Sequence, residues 1–355
     1  MIIFALILLL ICTPLSVANA GEIDYGQAKS LHCQAVLDYQ YNQNHRKTAV
    51  VKLKNAQVVK GLAVGDIMLG RYVESLMRSN GANYPFEKVN ELLAGNDIVL
   101  GNLEGPISNQ HAQTPNGSLS FSFSEDKATI IKDNFFTHVT LANNHTYDRG
   151  RLAFDHTRDV LEKSGVFAFG NPEEELAEYI TRTKVRNQEF VFLGFRDMST
   201  SFDREQALVL IESENSNDAF VIVSIHWGSE YVLHSGTQQQ ELAHDMIDAG
   251  ADVIFGHHPH VVQEIEEYEG KIIFYSLGNF IFDQYFSQDT QQELAVEFNL
   301  SPDEIIYTLH PLQSVNSQPA EMTGDIASSW LARLADRSSE TIRDSIKSGK
   351  IHQTR

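Results

Sequence analysis

The chain has 355 residues, 42% of them apolar, which is enough for a sizeable core and excludes a largely disordered protein. Against 27 basic residues stand 47 acidic ones, a formal net charge of −20, which excludes nucleic acid as a main partner because phosphate backbones are bound by excess Lys and Arg. An anionic substrate would need a local positive centre here, such as a metal ion.

The chain opens with "MIIFALILLLICTPLSVANAGE", an apolar run that stops at Pro14 and is followed by small residues. This reads as an export signal over residues 1–20, cut after Ala20, although no Lys or Arg precedes the run. The run is shorter than the ~20 apolar residues of a spanning helix. The expected location is therefore periplasmic or extracellular, with a membrane as partner only if the leader stays uncleaved. Cys12 and Cys33 are the only cysteines, so cleavage leaves Cys33 alone and no intramolecular disulfide. Any metal site must then use His, Asp, Glu and Asn.

Residues 21–55 are polar and mixed, a short helix and an irregular lead-in. From residue 56 a rhythm begins, in which β-branched runs typical of buried strands end abruptly in polar residues. "QVVKGLAV" runs into "GDIMLGR", "NDIVL" into "GNLEG", and "HVTLA" into "NNHTYDRG". "FVIVSI" runs into "HWGSEY", "DVIF" into "GHHPH", and "KIIFYSL" into "GNFIFDQ". Helical patterns lie between them at "PFEKVNELLA", "RLAFDHTRDVLEKSG" and "TQQQELAHDMIDAG", the last two closed by glycine. Strand, polar loop and helix in repetition define an α/β architecture, whose ligand site lies beyond the carboxyl ends of the strands. From about residue 301 a short strand, a loop and one or two amphipathic helices are expected to pack on the main domain, which spans 56–335 and leaves 336–355 as a tail.

The polar clusters carry the chemistry. Asp66 follows a strand beside Gly65, where a carboxylate can meet a cation and the backbone can turn closely. Arg71 could grip an anionic group through a bidentate contact. Asn102 and Glu104 are two oxygen donors on one face of an extended segment. Asn144 can ligate through its carbonyl, while His145 can ligate or pass a proton, with Asp148 orienting it. His226 follows a strongly apolar strand, with Glu230 nearby, and Trp227 and Tyr231 read as packing residues. "GHHPH" places His258 and His260 two apart, both rings aimed to one side of an extended segment, with His257 the spare that faces away or supports a ligand. Asn279 could line the site. Each cluster alone also reads as an ordinary turn or a satisfied core residue. Together, Asp66, Glu104, Asn144, His226, His258 and His260 suit one or two divalent ions, with Mn, Fe or Zn expected. Two ions about 3.5–4 Å apart can clamp an ester and activate a water. Arg71, Asn102, Glu230 and Asn279 are assigned to the substrate, and His145, Arg71 and Asp148 to catalysis.

These motifs, in this order, resemble the bacterial capsule-synthesis protein CapA family, which is associated with poly-γ-glutamate capsules and similar to the calcineurin-like metallophosphoesterase superfamily. The resemblance covers about residues 57–335. It implies a four-layer α/β/β/α sandwich and a dinuclear centre. On that pattern Asp66 matches the first-motif aspartate, Asn144 and His145 the Asn-His motif, His226 the lone histidine, and His258 and His260 the closing His-x-His. Asn144 would bridge to substrate and His145 would donate the proton. Two positions depart from the superfamily pattern. Met68 stands where the first motif has histidine, and Glu104 is the best substitute for a bridging aspartate. The leading expectation is an exported metal-dependent hydrolase of phosphoester type, linked to capsular polymer biosynthesis. Its partners would be an anionic small molecule or polymer and capsule-biosynthesis proteins. The alternatives are a non-catalytic, metal-dependent polymer-binding or assembly factor, and an amide hydrolase acting on polyglutamate.

Overall fold

Strand β1 (Val59–Ile67) is buried at every position except Lys60, so it has no solvent face and must run through the middle of a covered sheet. The structure, a computed structural model, describes residues 58–171, 180–198, 202–215 and 219–355. The expected leader, the 21–55 lead-in and Cys33 lie outside the described residues. On one side of β1 run β2 (Ile98–Leu103), β3 (His138–Thr140) and β4 (Phe167–Phe169), all parallel. On the other side lie β12 (Gln292–Leu300), β13 (Glu304–Val315) and β14 (Gln318–Glu321), all antiparallel. A second sheet has the order β5 (Ile180–Val185), β6 (Gln188–Asp197), β7 (Phe220–Trp227), β8 (Val253–His257), β10 (Lys271–Phe274), β9 (Ile265–Tyr268). Its β6, β7, β8 and β10 are mutually parallel.

Three apolar clusters define the layers. Val59, Ala63, Leu100 and Val296 of the first sheet meet Phe192, Ile222, Phe255 and Phe274 of the second, so the sheets pack face to face. The outer face of the first sheet is covered by α1 (Arg71–Asn80), the single turn α2 (Asn90–Leu93), α3 (Asp126–Asp133) and α4 (Arg151–Ser164), through Val73, Leu93, Ile131 and Phe154. The outer face of the second is covered by α5 (Arg204–Asn215) and α6 (Thr237–Asp248), through Ile211 and Met246. This is the four-layer α/β/β/α sandwich expected. Among the described residues no helix is long and apolar enough to cross a membrane.

Some elements differ from expectation. The "PFEKVNELLA" segment breaks into a 3-10 turn at Tyr84–Phe86 and the isolated turn α2. The region after residue 301 holds more strand than expected, with β13 running the full length Glu304–Val315. Residues 336–355 do not trail away. After α7 (Gly324–Arg337) and α8 (Arg343–Lys347), β15 (Lys350–Thr354) pairs with β13. Trp330, Leu331 and Leu334 of α7 bury against the core between the sheets.

The topology brings the carboxyl ends of β1, β2 and β3 to those of β7 and β8. There β11 (Asn279–Ile281) pairs with β1 in parallel, Asp66 opposite Asn279. The approach is close: a Cβ on Gly65 would sit 2.0 Å from the Gly278 carbonyl oxygen, so only glycine lets the two backbones meet.

Candidate metal centre

Two carboxylates form the base of the site. Asp66 and Glu104 are both fully buried. Asn102, buried behind them, donates through Nδ2 to Asp66 Oδ1 at 2.8 Å and to Glu104 Oε2 at 3.4 Å. Burial opposes ionisation of Asp66, but the imidazoles of His257 and His260 outweigh it and hold the carboxyl well below its usual range. Glu104 has no such close partner. Burial, reinforced by the charge of Asp66 and opposed by His260 and His145, pushes it up to about 7.

The histidines reach in from the second sheet and from the loop after β8. His226 Nε2 donates to Asn144 Oδ1 at 2.8 Å, which leaves Nδ1 to accept from Asn102 Nδ2 at 3.4 Å. Burial, with His258 beside it, keeps His226 well below the usual imidazole value. Burial and the charge of His260 push His258 down to about 4. Both rings are therefore neutral at pH 7, the state in which imidazole ligates. His260 behaves oppositely. Burial would lower it, but Glu104 and Asp66 raise it to about 9. It stands as an imidazolium where a cation is called for.

"GHHPH" is not the extended segment expected. His258 and His260 have φ of +97° and +57°, a region strained for side-chain-bearing residues, so the chain bends tightly around Pro259. The bend holds the two ring centroids 5.8 Å apart. It also turns the His258 N–H toward Asp66 Oδ2 at 3.4 Å. His257 lies against Asp66, its Nδ1 3.3 Å from Oδ1. Arg71 and Tyr231, at the same site, are two further non-glycine residues with positive φ.

These residues fit a divalent ion. Glu104 Oε1 and His258 Nδ1 are buried without a hydrogen-bond partner, an expensive state that a cation would relieve. Glu104 Oε1 is 3.7 Å from His260 Nε2 and 3.9 Å from His145 Nε2, too far to bond either. Among the described residues two groups could hold ions, each with donor atoms within 4.8 Å of one another: Asp66, Glu104 and His226, all buried, and Glu230, His258 and His260, of which Glu230 is exposed. Met68 makes no approach as a ligand. It is buried in the apolar cluster outside the first sheet, its Sδ accepting from the Gly70 N–H at 3.2 Å.

The remaining expected residues divide. His145 Nδ1 donates to Asp148 Oδ2 at 2.8 Å, and Phe121 stacks on the imidazole with centroids 3.9 Å apart. Asn102 and Asn279, assigned to the substrate from sequence, face away from solvent. Asn279 instead accepts from His260 Nδ1 at 3.0 Å and donates to the Thr290 carbonyl at 2.9 Å. Arg71 is engaged: its Nε and Nη2 donate to Asp283, and its Nη1 donates to the Ser118 carbonyl. Sequence reasoning missed three residues. Asn143, the first of the "NNH" pair, donates to Asn102 Oδ1 and the Leu103 carbonyl and accepts from the His145 N–H, tying the loop to β2. Asp283 holds Arg71, and Phe121 covers His145. The doubled asparagine was the only one of these with a visible signal.

A four-layer sandwich with a buried histidine and carboxylate cluster at its strand ends defines an α/β protein with a candidate metal centre. Within that class the chain belongs to the bacterial capsule synthesis protein PGA_cap family, whose model matches residues 60–284. It is 33% identical over 270 residues to the PGA biosynthesis protein CapA of Bacillus subtilis (strain 168), covering 72% of this chain and 71% of that one. It is 31% identical over 303 residues to the capsule biosynthesis protein CapA of Bacillus anthracis, covering 79% of this chain and 74% of that one. Among solved structures, a hypothetical protein from Thermus thermophilus superposes with TM-score 0.44 at 13% identity, covering 74% of this chain and 96% of that chain.

Proposed function

We propose that the chain is an exported, metal-dependent hydrolase of phosphoester type that acts in the making of a poly-γ-glutamate or related capsular polymer. The observation that supports the chemistry most directly is the set of orphaned buried donors, Glu104 Oε1 and His258 Nδ1, beside Asp66 and His226. Asp66, Glu104, Asn144, His226, His258 and His260 would hold the metal, with Glu230 at the second position. When bound, a divalent ion supplies Lewis-acid charge to the phosphoryl oxygens and acidifies a water. The chain's own residues do the rest. Asp148 holds the His145 proton at Nδ1, so Nε2 is the atom that faces the centre. Protonated there, His145 gives its proton to the leaving oxygen as the P–O bond breaks. Phe121, stacked on the ring, fixes its plane and excludes water from one face. The link to capsular polymer rests on family membership, and capsule-biosynthesis proteins are the partners it suggests.

The test is elemental analysis of the purified protein, followed by a phosphoester screen with Mn, Fe and Zn. Asp66→Ala and His258→Ala should lose both bound metal and turnover. Full activity in metal-free protein would overturn the proposal. One observation favours a second reading, a non-catalytic polymer-binding factor: Met68 occupies a ligand position of the superfamily motif. Metal-loaded protein that binds polyglutamate and cleaves no ester would support that reading.

A further inference from the structure

We propose that the site is built for an ester of an apolar alcohol, with one acidic head on the centre and an apolar leaving group along an aromatic wall, rather than for a run of free carboxylates; this rests on the hydrolase reading above. A cleft of about 430 Å³ opens over the centre, with His145, Glu230 and His260 at its floor. Its walls are Tyr72, Leu119, Phe121, Tyr231, Phe282 and Phe286. Phe121 stacks on His145, the group that faces the leaving oxygen, so the wall begins where the leaving group must lie. It continues through Phe282, which meets Phe121 edge to face at 6.0 Å, and Tyr231 meets Phe286 in the same way at 5.0 Å.

Charge points the same way. Among the described lining residues Arg71 is the one Lys or Arg, and Asp283 and the Ser118 carbonyl occupy its donors. Its guanidinium sits over the Phe121 and Phe282 rings, 5.0 and 5.4 Å from their centroids, where it stiffens the wall rather than receiving an anion. The other charged lining residues besides the histidines are the carboxylates Glu230 and Asp283. A polyanion would find a partner for one acidic group at the centre and repulsion beyond it. At the mouth, Leu119 is 85% and Phe286 66% exposed, apolar surface that an apolar ligand would cover.

The experiment uses the full chain loaded with Mn²⁺ and two phosphomonoesters of similar intrinsic reactivity, ethyl phosphate and 2-(2-naphthyl)ethyl phosphate. The naphthyl ester should be turned over with kcat/KM at least about tenfold higher. Phe286→Ala and Leu119→Ala, exposed enough to spare the fold, should shrink that ratio. Equal kcat/KM for the two esters overturns this inference and leaves the hydrolase reading standing. If neither ester turns over, the hydrolase reading falls, and calorimetry decides on the cleft alone. Tighter binding of a naphthylethyl phosphonate than of methylphosphonate supports the aromatic wall. Equal binding, or tighter binding of poly-γ-glutamate, overturns it.

Discussion

Asp148 allows a sharp test of the proton-donor role, because a single oxygen does two jobs. Oδ2 accepts from His145 Nδ1 at 2.8 Å and from the Phe121 N–H at 2.5 Å. In Asp148→Asn the Phe121 N–H requires an acceptor, so the amide oxygen stays in place and His145 keeps its tautomer. Only the charge behind the imidazolium is lost, and kcat should fall about tenfold. In Asp148→Ala both acceptors go. The ring is free to turn, and kcat should fall by about 10²–10⁴ with KM nearly unchanged. The stranded Phe121 N–H also costs about 1–3 kcal/mol, a drop of roughly 2–10 °C in Tm for a unit of this size. Steady-state kinetics on the best ester found by screening, alongside calorimetric melting, reads both effects. An Asp148→Ala protein that folds normally and keeps kcat within about twofold of the parent would refute the assignment of His145 as acid.

Three further outcomes are expected. Asn279→Ala removes the acceptor that orients His260 through Nδ1 and should weaken metal binding about 10–100-fold, measured by isothermal calorimetry. Gly65→Ala places a Cβ 2.0 Å from the Gly278 carbonyl, which must displace β11 or β1; melting should show a loss of at least about 1–3 kcal/mol together with weaker metal retention. Glu293, fully buried in β12, is held well above the usual carboxyl range by burial. A raised acid contributes stability below its unfolded value near 4.5 and loses it as pH climbs through the folded value. Glu293→Gln should therefore gain stability relative to the parent as pH rises from about 5 to 8, and parallel Tm–pH curves would contradict this.

Much of the site was visible in the chain because its donors stand where apolar runs break off. Asp66, Asn102, Glu104, Asn144, His226 and His258 all lie at or just beyond carboxyl ends of parallel strands, and the rule for ligand sites in such sheets gathers them into one place. What stayed hidden depends on how loops fold back. The pairing of Arg71 with Asp283 spans 212 positions, and no local pattern announces it. The bend in "GHHPH" puts positive φ on two histidines, a conformation that composition does not signal for residues other than glycine. Strand β13 was under-read for a different reason. Its alternation "EIIYTLHPLQSV" is interrupted by His310 and Pro311, which break the period although the ladder to β12 continues through both. Glu230 was assigned to the substrate from its place near His226 in the sequence; only the fold shows its Oε1 4.0 Å from His260 Nε2.

That placement bears on how the centre tolerates Met68. Met68 packs into the apolar core behind the sheet and supplies no ligand, while Glu230 stands with His258 and His260 as the carboxylate of that group. A carboxylate there has physical consequences. A carboxylate is a harder ligand than imidazole and shifts preference toward Mn over Zn. Glu230 is 44% exposed, so water competes for an ion there far more than at the wholly buried Asp66, Glu104 and His226. The two positions should thus differ in strength, the buried one firm and the other exchangeable. Protons enforce the same ordering. Any ion bound by His260 must displace the proton that Glu104 and Asp66 hold on it, and any ion bound by Glu104 must displace the proton that burial favours there. Affinity therefore rises with pH across the range in which these groups ionise. The exchangeable position, which depends on His260, fills last as pH is raised and empties first as it is lowered.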